Sequence, residues 1–194
     1  MKLLSIAIPC YNSEKYMRKC IDSLLVGGED VEILIVDDGS TKDRTAEIAD
    51  EYEAQFPTIV RAIHKENGGH GSAVNTGIAN ATGLYFKVVD SDDWVKQDAY
   101  FKILDTLREL AGGGQALDML ISNYVYEKEG EHRKKVIQYR HILPVERMFT
   151  WKDCHHFIKG LHTDAFCDLP YEAASGMRTE ASGAYFLCGQ SVCV

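Results

Sequence analysis

Val88-Val89-Asp90-Ser91-Asp92-Asp93-Trp94 closes an apolar run that begins at Tyr85, and it sets three carboxylates in four positions. Like charges that close repel one another, and burying them costs several kcal/mol unless they take up protons or a cation. An acidic stretch at the end of a core strand therefore calls for a cation or ample water. Were the chain extended here, Asp90 and Asp92 would point to one side and Asp93 to the other. Oxygen pairs at that spacing suit a hard divalent ion such as Mg²⁺ or Mn²⁺, which keeps positions open for a phosphate. The plainer reading is an acidic turn that caps a helix starting near Gln97. The residues on either side decide between the two.

Upstream, short apolar runs alternate with helical patterns. Leu3 to Pro9 reads as a first strand. Asn12 or Ser13 can cap a helix carrying Tyr16, Met17, Cys20, Ile21, Leu24 and Leu25 at helical spacing, stopped by Gly27-Gly28. Val31 to Val36 is apolar at all but Glu32, as in a strand buried on both faces. Asp37-Asp38-Gly39-Ser40 then signals a turn, followed by a helix from about Asp43 to Phe56. Ile59 to His64 gives a third strand, Gly68-Gly69-His70-Gly71 a glycine-rich loop, and Ser72 to Ala81 a third helix before the strand from Tyr85 to Val89. Four strands alternating with three helices predict an α/β domain, a mostly parallel sheet flanked by helices. Right-handed crossovers place all the strand C-termini on one edge. Tyr11-Asn12, Asp37-Asp38, Lys65-Glu66-Asn67 and the acidic stretch each come directly after a strand, so they meet on the edge where open α/β sheets bind ligands.

Composition narrows the function further. The chain has 194 residues and a net charge of −8, without a basic stripe, which argues against a nucleic-acid partner. No apolar run approaches the roughly 18 residues of a membrane span. Met1 to Ile6 begins as a signal peptide might, but Pro9, Tyr11, Asn12 and Glu14 cut the run short, so it reads as the first strand. None of the six cysteines (Cys10, Cys20, Cys154, Cys167, Cys188, Cys193) forms a Cys-x-x-Cys pair, which points to free thiols in a reducing cytoplasm.

Past the acidic stretch a helix is predicted from Gln97 to about Ala111. Leu117 to Tyr126 and Arg133 to Tyr139 then form an antiparallel addition around the charged turn from Glu127 to Glu131, and Leu143-Pro144 punctuates. Thr150 can cap a helix through Trp151 to Ile158. From about Gly160 neither helical nor strand period is visible. The expected division is a first half over 1–96, the start of a second over 97–159, and a poorly ordered tail over 160–194.

The motifs, taken in order, resemble the family 2 glycosyltransferases of the GT-A fold. The resemblance rests on Ile8-Pro9-Cys10-Tyr11-Asn12, on Val36-Asp37-Asp38-Gly39-Ser40 with Asp43 and Thr45, on Asn67-Gly68-Gly69 leading to Asn75-Thr76-Gly77, and on Asp90-Ser91-Asp92 with Asp93 and Trp94. It covers roughly residues 3 to 158, and it implies a nucleotide-sugar-binding half over 1–96 and the start of an acceptor-side half over 97–159. It implies transfer of a sugar from a nucleoside-diphosphate sugar, a UDP-sugar, to an acceptor hydroxyl with inversion, assisted by Mg²⁺ or Mn²⁺. The acceptor would be a saccharide or lipid-linked, and the work cell-surface polysaccharide biosynthesis in the cytoplasm at the inner face of the membrane.

By the same resemblance Asp92 is the metal ligand, and Asp90 contacts the ribose or the metal's water. Asp37 and Asp38 bind the nucleotide, Asp38 accepting from the uracil N–H, and Tyr11 packs on the base with Pro9 shaping the wall. Ser91 completes the donor motif. Many members carry Arg where this chain has Val74, so His70 or Lys65 takes over the diphosphate contact here. The family's catalytic base, an acidic residue well downstream, has no match; Asp164, Asp168 and Glu172 lie in the aperiodic tail. Reading Asp168 to Cys193 one base later, with codons chosen freely, permits TYRTKLLRECGLKLPEHTFYVDNLFV, which resembles the family's continuation and leads us to expect a frame-altered tail.

Two alternatives stand beside this reading. A nucleotide-sugar-binding module without catalysis would use the same donor residues. Gly69-His70-Gly71 with Asp90 about twenty residues on echoes a dinucleotide fingerprint, but Val74 fills its third glycine position and the loop comes after the third strand. His155-His156 face different directions on a helix and suit a surface or acceptor groove better than a metal.

Overall fold

A computed structural model describes residues 1–113, 119–127, 134–139, 143 and 148–149 in full, and the backbone of 150, 165–168 and 184–193. The chain falls into two compact units, Met1–Gln97 and Asp98–Val194.

In the first unit β1 (Leu4–Cys10), β2 (Val31–Asp37), β3 (Val60–His64) and β4 (Tyr85–Val88) form a parallel sheet in the order β3-β2-β1-β4. Every residue of β1 and all but Glu32 of β2 are buried, as their near-continuous apolar sequences require. Helices α1 (Met17–Leu25), α2 (Thr45–Gln55) and α3 (His70–Asn80) connect the strands. The order reverses at β1, so the crevice at its C-terminal end, between the loops after β1 and β4, is where this topology binds ligands.

Helix α3 packs on β1 and β2. Its approach is close enough that a Cβ on Gly77 would stand 2.5 Å from the Cβ of Ala7, so only glycine fits there. Cys10 and Cys20 are buried free thiols, as expected. Burial above all pushes the Cys10 thiol up to about 12.

Pro9 sets where the β1–β4 ladder ends. The amide of Val89 donates to the carbonyl of Ala7 at 3.0 Å, the last main-chain bond recorded between β1 and the end of β4. Two residues on, alternation turns the nitrogen of Pro9 to the same side, where it has no hydrogen to offer. The chain after Val89 is released and turns, with the Asp93 amide donating to the Asp90 carbonyl at 2.9 Å. Strand alternation therefore does not govern Asp90, Asp92 and Asp93, contrary to the extended geometry expected of them.

The start of α1 also differs from expectation. Asn12 adopts φ 51° and its side-chain oxygen accepts from the Lys42 amide at 3.1 Å, while the Ser13 hydroxyl accepts from the Tyr11 amide at 3.1 Å. Both side chains are thereby used in the loop, and the helix begins at Met17 with no side-chain cap.

In the second unit α4 (Gln97–Gly112) buries Ala99, Tyr100, Ile103, Leu104 and Leu107. Strand β5 (Met119–Tyr126) pairs antiparallel with β6 (Lys135–Ile137), as the charged turn between them predicts. It also pairs antiparallel with β8 (Ala165–Asp168) and parallel with β9 (Ala184–Cys193), while β7 (Met148–Thr150) lies antiparallel on β9. Ile121, Tyr139, Leu143 and Phe149 form its buried cluster. Two strands thus occur within 160–194, where the sequence shows no period. Main-chain groups of β5 can be met by any backbone, whatever its side-chain pattern. The helix expected over 151–158, with Cys154, His155 and His156, lies outside the described residues, as do Asp164 and Glu172.

Candidate donor-binding site

The loops after β1 and β2 are laced together. The Asn12 amide donates to the Ser40 hydroxyl at 2.9 Å, Ser13 to Thr45 Oγ1 at 2.6 Å, and Glu14 to Asp43 Oδ2 at 3.0 Å. Asp43 Oδ1 in turn accepts from the amide and hydroxyl of Thr45, opening α2. Burial works against the Asp43 charge, but these donors outweigh it and hold its carboxyl below the ordinary range. Tyr11 stands at the head of this platform, 49% exposed, with a ring surface free to pack on a planar group. Pro9, beneath it, is buried in β1.

Asp37 and Asp38 are both buried but differ in their partners. Asp37 bonds to its own turn and to β3: Oδ1 accepts from the Ser40 amide at 3.0 Å, and Oδ2 lies 3.1 Å from Nδ1 of His64. Asp38 faces the loop after β3. Its Oδ1 takes the Lys65 ammonium and the Gly68 amide at 3.0 Å, and its Oδ2 takes the Gly69 amide at 2.7 Å. Burial favours its neutral form, yet Lys65 and the two amides outweigh it and keep the carboxyl below its usual value. A carboxylate oxygen has about two acceptor positions, so Oδ2 retains one. Gly39 makes this approach possible: its φ is 74°, and a Cβ there would come 2.8 Å from the Asn67 nitrogen.

Lys65 is therefore turned to Asp38 and to the Glu66 carbonyl. His70, the other residue expected to replace the missing Arg, opens α3 and reaches the acidic turn, with Nε2 2.9 Å from Asp90 Oδ1. Ser91 donates from Oγ to Ser13 Oγ at 2.9 Å, which joins the acidic turn to the β1 loop. Asp92 is exposed.

The turn is rich in anionic oxygen. Burial first, then the charges of Asp92 and Asp90, push the Asp93 carboxyl up to about 7, with Lys87 only partly opposing them. Such a set fits a hard cation. Among the described residues no three His, Cys, Asp or Glu side chains form a ready metal cage. An ion here would take one or two carboxylates and complete its shell with phosphate oxygens and water, the usual manner for Mg²⁺.

The family described as Glycosyl transferase family 2 matches residues 5–169, and the chain belongs to it. It is 45% identical over 104 residues to the uncharacterized glycosyltransferase EpsJ of Bacillus subtilis, covering 53% of this chain and 30% of that one. It is 35% identical over 159 residues to the chondroitin synthase of Escherichia coli, covering 80% and 22%. The chain thus spans less than a third of the length of either relative. The fold is that of S. aureus TarS 1–349, solved in complex with UDP-GlcNAc, at a TM-score of 0.66 and 24% identity over 87% of this chain and 45% of that one. A mannosyltransferase from Pyrobaculum calidifontis, solved with GDP-Man and Mn²⁺, superposes at a TM-score of 0.51 and 20% identity over 61% and 34%. The GT-A architecture expected from the motifs is the observed one.

Proposed function

We propose that this chain binds a UDP-sugar at the edge of its first unit and serves inverting transfer of that sugar to an acceptor hydroxyl, assisted by Mg²⁺ or Mn²⁺. The observation that carries the reading is the meeting of His70 with Asp90 beside Tyr11 and Asp38, at the point where the strand order reverses. Tyr11 packs on the base, and the remaining acceptor position of Asp38 Oδ2 reads the uracil N–H. His70 and the first turn of α3 face the diphosphate, as helix N-termini favour anions. Asp92, with Asp90, holds the ion. When bound, the ion supplies a Lewis acid that offsets charge gathering on the departing diphosphate. A saccharide or lipid-linked acceptor, and a place at the inner membrane face in making cell-surface polysaccharide, belong to the same reading. Among the described residues no helix is long and apolar enough to cross a membrane.

The test is calorimetry of UDP binding with and without Mn²⁺. Asp92→Ala is expected to weaken metal-dependent binding by about 10- to 100-fold. Undiminished affinity would remove Asp92 from this role, and UDP binding indifferent to divalent ions would remove the ion.

A further inference from the structure

Helix α1 meets the acidic turn with a single one of its own turns. The Cys20 thiol donates to the main-chain carbonyl of Asp90 at 3.5 Å. The Ser23 hydroxyl accepts from the Val95 amide at 3.1 Å and donates to the carbonyl of Cys20 at 2.7 Å. Residues three apart share a helix face, so both ends of the 90–95 stretch are pinned to one patch of α1. A further contact comes from Lys19, whose Nζ sits 3.0 Å from the centroid of the Trp94 ring. Between the pins stand Asp90, Asp92 and Asp93, whose charges repel. Cutting a pin lets that repulsion open the turn and spread its oxygens.

We propose that Cys20 and Ser23 are positioning residues of the donor site: from α1 they hold the acidic turn closed, at the oxygen spacing that an ion and a diphosphate require. The inference rests on the donor-site reading above. The sequence alone places Cys20 only in the core face of α1, and Ser23 in no role.

The experiment compares the full chain with Ser23→Ala, Cys20→Ala, and the conservative Ser23→Thr and Cys20→Ser. Hydrogen exchange without ligand reads the turn directly, and calorimetry reads UDP affinity in Mn²⁺. The alanine variants should speed exchange at 91–95 by about 10-fold or more, with the rest of the first unit unchanged. Their UDP affinity should fall by about 10- to 100-fold, and the conservative variants should restore part of both. Lys19→Gln, an exposed change, should speed exchange at Trp94 and Val95 and keeps the test open if a core variant fails to fold. Unchanged turn exchange in the variants that fold overturns the inference. Faster exchange throughout the unit also overturns it, by reducing α1 to general support. If the unaltered chain binds no UDP with Mn²⁺, the donor-site reading falls, and exchange at 91–95 still decides whether α1 holds the turn.

Discussion

Nε2 of His70 lies 2.9 Å from Oδ1 of Asp90, tying the first residue of α3 to the turn after β4. Both side chains are more than half exposed, so the pair adds little to stability, within about 1 kcal/mol. With Nε2 held toward Asp90, the imidazole stands at the head of α3, where a helix N-terminus favours an anion. His70→Ala should leave the melting temperature nearly unchanged and weaken UDP binding in Mn²⁺ by about 10-fold, the scale of one charge-assisted hydrogen bond. Equal affinity in calorimetry would take His70 out of the donor site.

Asp38→Asn should act on both fold and recognition. The carboxylate accepts from Lys65, Gly68 and Gly69, and an amide must turn its own N–H toward at least one of them. A loss on the order of 1–3 kcal/mol in urea denaturation is expected. Because the folded carboxyl is held below its unfolded value, its contribution is present above about pH 3.9 and fades as pH falls through the folded value. UDP should suffer more than a nucleotide whose base lacks that N–H. Equal losses across bases would assign Asp38 to the loop alone.

His64 predicts a pH dependence of opposite sign. Its Nδ1 faces Asp37 at 3.1 Å and its Nε2 faces Asp50 at 2.9 Å, and only the doubly protonated ring can donate to both. Asp50 first, then Asp37, raise its pKa against the effect of burial. The stabilisation is therefore complete below about pH 6.5, its unfolded value, and lost as pH rises through the folded value. His64→Gln should flatten the stability–pH profile above about pH 6.5. A profile identical to that of the unaltered chain would show that the bridge contributes nothing.

The tail yields a comparison of activity. With the sequence as it stands, no carboxylate is assigned as the base that takes the acceptor proton, a role worth about 10²- to 10⁴-fold. Replacing Asp168 to Cys193 by the string read one base later should raise sugar transfer to a suitable acceptor by that order while leaving UDP affinity alone. Equal turnover by both forms would show the tail to be competent as written.

What was legible in the sequence was what repeats. Four apolar runs and three helical patterns carried the parallel sheet, because a strand buried on both faces and an amphipathic helix leave distinct periods. Local chemistry was harder to read. Asn12 and Ser13 look like caps but are consumed by Lys42 and Tyr11, across about thirty positions in the first case. Asp37 and Asp38 are neighbours of one type, and only folding shows that one faces His64 and the other Lys65. Pro9 could have signalled that the acidic stretch leaves the sheet, had its missing N–H been set against the end of the β4 ladder. Strands β8 and β9 answer the open edges of β5, which no pattern inside their own segments could announce.

The closeness of Gly77 to Ala7 makes α3 a lever. The helix is held against β1 at a fulcrum one methyl group wide, and His70 rides about 10 Å along the axis from it. Thickening the fulcrum would tilt the arm, and the movement would be felt first at its tip, where His70 meets Asp90. Gly77→Ala should therefore weaken UDP binding out of proportion to its effect on melting temperature. The reach of that edge is gauged partway along a helix, where a glycine meets a methyl group.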